Sequence, residues 1–162
     1  MTEPRWLSPQ ERSAWIALLA STTWLPQALD AQLRRDAGLT LVEYQVLSWI
    51  SMQPDRAARL SEIAPVANMT LSHLSRVATR LETRGWIRRE PDPEDGRATL
   101  AILTEPGWEK VEASAPGHVE EVRRIVFDQL DAEQTATLAE IGRRIASAAR
   151  PGLELPDLAA DD

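Results

Sequence analysis

Residues 70–97 limit the possible folds of this chain more than any other stretch. From Thr70, apolar side chains recur at Leu71, Leu74, Val77, Ala78 and Leu81, the spacing of one helix face. The opposite face carries Ser72, His73, Ser75, Arg76, Thr79, Arg80 and Thr83, with Glu82 as the one acid. These are short hydrogen-bonding groups and arginines, not the usual exposed Lys/Glu pairs. Thr70 is placed to cap the helix start, and Gly85 to take the left-handed position just past its end. Two strand-like runs follow, 86–89 and 98–103. Between them lies Glu90-Pro91-Asp92-Pro93-Glu94-Asp95-Gly96-Arg97, rich in turn formers. The stretch is therefore expected to be a helix followed by a charged hairpin.

The preceding residues extend this unit. Ala58-Arg59-Leu60 is a candidate minimal strand, and Ser61 is expected to cap a short helix over 62–67. Asn68-Met69 then turns the chain into the helix that Thr70 opens. Helix, three-residue turn, helix is the spacing of a helix-turn-helix, a weak signal alone. Followed by a hairpin with an arginine at its tip, it reads as a winged helix-turn-helix. Such a unit touches DNA twice, with side chains in a major groove and an arginine reaching along the backbone to the next groove.

The candidate DNA contacts follow from that geometry. Thr70, Ser72, His73 and Ser75 lie near the helix N-terminus, and their short donors suit bases and phosphates. Arg76 and Arg80 are one turn apart, each able to pair with a guanine edge or a phosphate. Helix amides near Thr70 and Ser61 are further phosphate sites. Alternation sends Arg88 and Arg89 to opposite faces, so one is a phosphate contact, taken as Arg88, and the other a structural ion pair. Arg97 is the wing-tip contact. The plainer alternatives are an ordinary solvated arginine face and, for His73, a solvated helix residue.

The net charge of −7 at first argues against nucleic acid. Its distribution matters more. Residues 54–103 hold eight arginines against seven acids, and residues 70–84 hold three arginines against one. A local basic face on an acidic protein still binds phosphate, with salt sensitivity and few contacts per subunit. Cysteine is absent, which excludes disulfides, thiolate metal sites and thiol redox sensing. The two histidines, His73 and His118, are far apart in sequence. With no apolar signal region and no run of about 18 apolar residues, a soluble cytoplasmic protein without membrane contact is expected.

The flanks read as long helices. Ser8-Pro9-Gln10-Glu11 is a helix start, with a Ser cap, Pro at the first position and Glu three residues on. That helix should run to about Arg35, roughly 40 Å at 1.5 Å per residue, kinked at Pro26. Its apolar residues include Trp15, Ile16, Leu19, Leu25, Leu29 and Leu33. Thr40-Leu41-Val42-Glu43 is a second capping box, opening a helix to about Ser51. After the hairpin, Thr104-Glu105-Pro106 opens a helix to about Asp128, loosened at Pro116-Gly117, and Asp131-Ala132-Glu133-Gln134 opens a last one. The expected divisions are 1–35, an N-terminal dimerisation helix; 36–103, the winged module; 104–149, C-terminal dimerisation helices; and 150–162, a disordered acidic tail. The terminal helices carry apolar faces that the small module cannot cover, among them Val122, Ile125, Val126, Leu138, Ile141 and Ile145. A second subunit buries them most simply. A two-fold homodimer then spaces two recognition helices about 34 Å apart, one turn of DNA. The fold class is thus mainly α, a winged helix-turn-helix with a small two- to three-stranded sheet and long terminal helices.

These residues resemble the MarR family of bacterial transcription regulators. The resemblance covers about residues 9–149. It rests on Leu-Ser-Glu-Ile-Ala at 60–64, Leu-Glu-Thr-Arg-Gly-Trp-Ile at 81–87, Asp-Pro-Glu-Asp-Gly-Arg at 92–97 and Leu-Thr-Glu-Pro-Gly at 103–107. Its most specific part is Asp95-Gly96-Arg97, similar to the family's Asp-x-Arg wing signature. The resemblance implies a dimeric regulator, usually a repressor, on a pseudo-palindromic double-stranded operator. It implies that Arg97 enters a minor groove and that Asp95 braces the wing, often by pairing with a recognition-helix arginine, here Arg76 or Arg80. It also implies release by a small aromatic or phenolic ligand bound between the dimer helices and the DNA module. Trp15, Leu19, Tyr44 and Trp108 are the candidate lining residues, with core packing as the plainer reading of each aromatic. No cofactor or metal is expected, since the chain departs from the thiol-based and zinc-sensing branches. No phosphate loop or nucleophile set points to an enzyme. The competing reading is a dimeric winged-helix adaptor that binds protein through its acidic face.

Overall fold

In the computed structural model, which describes residues 4–93 and 95–152, one core gathers side chains from eight elements. Leu33, Leu39, Leu47, Ile50, Ile63, Leu74, Leu81 and Ile87 are all fully buried in it. Each such side chain contributes about 1.5–3 kcal/mol relative to exposure.

The elements are α1 (Pro9–Ala37), α2 (Leu41–Ser51), β1 (Ala57–Arg59), α3 (Leu60–Val66), α4 (Leu71–Thr83), β2 (Ile87–Pro91), β3 (Thr99–Leu103), α5 (Glu105–Ile125) and α6 (Ala132–Ala149). The capping boxes expected at Ser8, Thr40 and Asp131 are all formed. Gly38 ends α1 with φ +63°, and Gly85 follows α4 with φ +73°. The sheet is antiparallel in the order β1-β3-β2, with Ala58 opposite Ala101 and Arg89 also opposite Ala101 on the other side.

Several expectations need correction. Arg59, not Ser61, is the N-cap of α3, because the helix starts at Leu60 and the Arg59 amide donates to the Glu62 carboxylate. Leu71, expected on the buried face of α4, is 53% exposed, since the first residue of that helix overhangs the core. Pro26 and Pro116-Gly117 do sit where expected, inside the long helices α1 and α5. A proline removes one donor from a helix but leaves the flanking bonds to carry it.

The described residues form two compact units, divided after Glu121. In the first unit α1 belongs with the winged module: Leu33 is fully buried, and Asp30 accepts the Leu41 amide at 2.8 Å. In the second unit Val122, Ile125 and Val126 are half-buried, and Leu138, Ile141 and Ile145 line one exposed face of α6. The tail expected to be disordered lies, beyond Gly152, outside the described residues.

Candidate nucleic-acid interface

The candidate recognition element is α4. Leu74, Val77, Ala78 and Leu81 bury one face, which fixes the other outward. Thr70 caps the start by accepting the His73 amide at 3.2 Å, a bond of the kind worth about 1 kcal/mol. Before it, Asn68 holds φ +50° and makes the sharp turn out of α3. Ser72, His73, Arg76, Thr79 and Arg80 are exposed and Ser75 is half-buried.

The wing is built on a buried carboxylate. Asp92 is 5% exposed and ion-paired with Arg59 of β1. Its amide donates to the Ala98 carbonyl at 3.0 Å, and its carboxylate accepts the Asp95 amide at 3.2 Å. Asp95 in turn accepts the Arg97 amide at 3.0 Å. Asp95 therefore orders the wing tip locally. The expected pairing of Asp95 with Arg76 or Arg80 is not formed: Arg80 donates through Nε to Glu43 of α2 at 3.2 Å instead. Asp92 and Glu43 were both missed as partners, because each meets an arginine more than thirty residues away.

The wing and α4 are also locked together. Glu82 accepts Nε and Nη2 of Arg89 at 2.9 and 2.6 Å, and the Arg89 amide at 3.0 Å. The Arg89 side chain, followed by the opposing cost of burial, holds the Glu82 carboxyl below its usual value. Arg89 is thus the structural ion pair of the two neighbours. Arg88 is exposed and lies against Glu90.

This framework brings the candidate contacts to one edge. A cleft of about 380 Å³ is lined by Ser61, Leu71 and Ser75 on one side and by Asp95, Arg97 and Thr99 on the other. The arginine of the wing tip and the N-terminal half of α4 thus share one concave surface. Flanking the other half of α4, a groove of about 610 Å³ is lined by Arg34, Thr40, Glu43, Thr79, Arg80 and Arg84. Burial opposes ionisation of Glu43, but the Thr40 amide and Arg80 outweigh it and hold its carboxyl below the usual range.

The four residues expected to line one effector pocket do not come together. Tyr44 lies in a cleft of about 550 Å³ with Trp49, Met52, Ile63, Val66 and His118, but without Trp15, Leu19 or Trp108. Trp108 packs under Arg56, whose guanidinium sits 3.8 Å from the ring centre. Trp15 and Leu19 are exposed along α1. His118 was not singled out, and its ring lies tilted by 53° against that of Tyr44, with the centroids 4.5 Å apart. Burial lowers the His118 pKa and raises that of Tyr44, and His118 Nδ1 is buried without a hydrogen-bond partner among the described residues. Among those residues, too, no helix is long and apolar enough to cross a membrane, and no group of three or more acids or histidines is placed to hold a metal.

Fold and site together define a winged helix-turn-helix protein. The family model of MarR matches residues 39–99. The structure is similar to that of Sco3205, a MarR family transcriptional regulator from Streptomyces coelicolor solved in complex with DNA, with a TM-score of 0.88 and 44% identity over 93% of this chain and 94% of that one. It is also similar to AbsC, another MarR family regulator of S. coelicolor, with a TM-score of 0.86 and 34% identity over 91% of this chain and 99% of the other. The chain belongs to the MarR family of transcriptional regulators. Among curated relatives it matches the multiple antibiotic resistance protein MarR of Salmonella typhimurium, 31% identical over 52% of this chain, and the match spans 58% of that relative's length. The transcriptional repressor IacR of Pseudomonas putida is 30% identical over 60% of this chain and matched over 54% of its own length.

Proposed function

We propose that this protein is a sequence-specific, DNA-binding transcription regulator in the cytoplasm, a repressor acting as a homodimer on a pseudo-palindromic operator. The observation that carries the reading is the shared cleft of Ser75 on α4 and Arg97 on the wing. One rigid unit offers short donors to a major groove and an arginine beyond it, and an adaptor has no use for that alignment. Thr70, Ser72, His73 and Ser75 supply groove and phosphate contacts, Arg76 and Arg80 each meet a guanine edge or a phosphate, Arg97 makes the minor-groove contact, and Arg88 a backbone contact. The repressor sign follows IacR, a transcriptional repressor.

A small aromatic ligand is the effector in this reading. The cleft beside Tyr44 supports it, lined by the apolar Trp49, Met52, Ile63 and Val66 and by polar side chains that include Tyr44, Gln45, Ser48 and His118.

The test is a gel shift on DNA selected from a random pool, at two salt concentrations, with Arg76→Ala and Arg97→Ala beside the wild type. Each variant is expected to lose roughly 5- to 150-fold in affinity, the range of about 1–3 kcal/mol for one good base contact. Selection that enriches no sequence overturns the reading in favour of the adaptor.

A further inference from the structure

The groove beside the second half of α4 holds a buried carboxylate with more partners than a helix cap requires. Glu43 is 5% exposed. It closes the α2 capping box, accepting the Thr40 amide at 2.9 Å while its own amide donates to Thr40 Oγ1 at 3.1 Å. The same carboxylate accepts Nε of Arg80 through one oxygen at 3.2 Å, and Nη1 of Arg84 lies 3.8 Å from the other. Arg84 Nη1 also donates to the Gly38 carbonyl at 3.0 Å, and its guanidinium covers the Trp86 ring at 4.4 Å. Arg84 is thus held on three sides. Arg80 is held at Nε alone, and its side chain is 52% exposed.

An arginine fixed at Nε keeps its two terminal nitrogens as a flat, pre-oriented fork, and such a fork pairs with phosphate or a base edge. An arginine without that hold is a mobile cation that meets any phosphate equally well. We propose that Glu43 is a positioning residue for DNA recognition: it aims Arg80 and withholds Arg84, so that α4 offers one oriented arginine there instead of two loose charges. This inference rests on the DNA-binding reading.

The test compares the selected duplex with a scrambled duplex of the same length, using the full chain. Glu43→Gln keeps an acceptor for the Thr40 amide, so the capping box survives, but it removes the charge that holds both arginines. Affinity for the selected duplex is expected to fall about tenfold, while scrambled DNA binds more tightly and its log–log salt slope steepens by about one. A purely structural role would lower both affinities together and leave that slope alone. Arg80→Lys keeps the charge but has no Nε fork, so it too should lose the preference for the selected duplex, with its slope unchanged. In an Arg80→Ala background, Glu43→Gln should leave the preference where Arg80→Ala put it. The inference is overturned if wild type discriminates and either Glu43→Gln or Arg80→Lys discriminates equally well. A wild type that selects no sequence overturns the DNA-binding reading, and the role of Glu43 falls with it.

Discussion

Asp92 and Asp95 stand three residues apart in one wing and have the same chemistry, yet they occupy opposite environments. Asp92 is buried against Arg59, and Asp95 is exposed and accepts the Arg97 backbone amide. Removing a buried charge partner costs more than removing a surface acceptor. Asp92→Ala is therefore expected to destabilise the fold by about 2 kcal/mol, with the half-exposed Arg59 tempering the loss. Asp95→Ala should cost under about 1 kcal/mol while loosening Arg97 and weakening DNA binding. Urea melts of both variants check the order, and an Asp95→Ala protein less stable than Asp92→Ala would reverse the assignment. The sequence could not have ranked the two acids. Both sit in the same turn-rich motif, and what separates them is a strand 33 residues earlier. Glu43 is a parallel case: its capping box is local and legible, whereas its hold on Arg80 spans the helix-turn-helix.

Among the elements, α4, the wing and α5 meet at a close junction. Thr104 ties it together: its hydroxyl donates to the Gly85 carbonyl at 2.6 Å and accepts the Gly107 amide at 3.1 Å, while its amide donates to the Trp86 carbonyl at 3.0 Å. A Cβ on Gly107 would stand 1.9 Å from that Trp86 carbonyl oxygen, which belongs to the backbone and cannot swing aside. Gly107→Ala should therefore cost about 1–3 kcal/mol or more, the scale of overpacking, and shift the wing against α4. A thermal melt within a degree or two of wild type would show that α5 yields instead. Helix starts such as Ser8, Thr40, Thr70 and Asp131 were readable because a cap is written in four consecutive residues. The Gly107 approach was not, since a close contact between separate elements leaves no periodic trace. Ser61 misled for a related reason: it has the right side chain for a cap, but pairing of β1 with β3 sets Arg59 in extended backbone one step before the helix.

For the molecule as a whole, the unfinished business is apolar surface. Trp15, Ile16 and Leu19 are exposed on α1, and Leu138, Ile141 and Ile145 on α6, each between 43% and 60%. The homodimer proposed above covers these faces, and a closed two-fold assembly makes stability depend on concentration. Leu138→Glu combined with Ile141→Glu is expected to sediment as a monomer at concentrations where wild type is a dimer, and to bind a full palindrome no better than a half-site. An unchanged sedimentation coefficient would assign dimerisation to other surfaces.

The placement of Trp86 has a spectroscopic consequence. Arg84 and Lys110 both approach its ring, 4.4 Å and 5.5 Å from the centre, at the point where the recognition helix gives way to the wing. Indole emission responds to the charge beside it. Since Arg84 is anchored to both Gly38 and Glu43, any event that shifts the end of α4 also changes what the excited ring experiences. In a variant that keeps Trp86 and replaces the other five tryptophans, the protein thus carries an intrinsic optical gauge of its own recognition helix, which can be read without a dye.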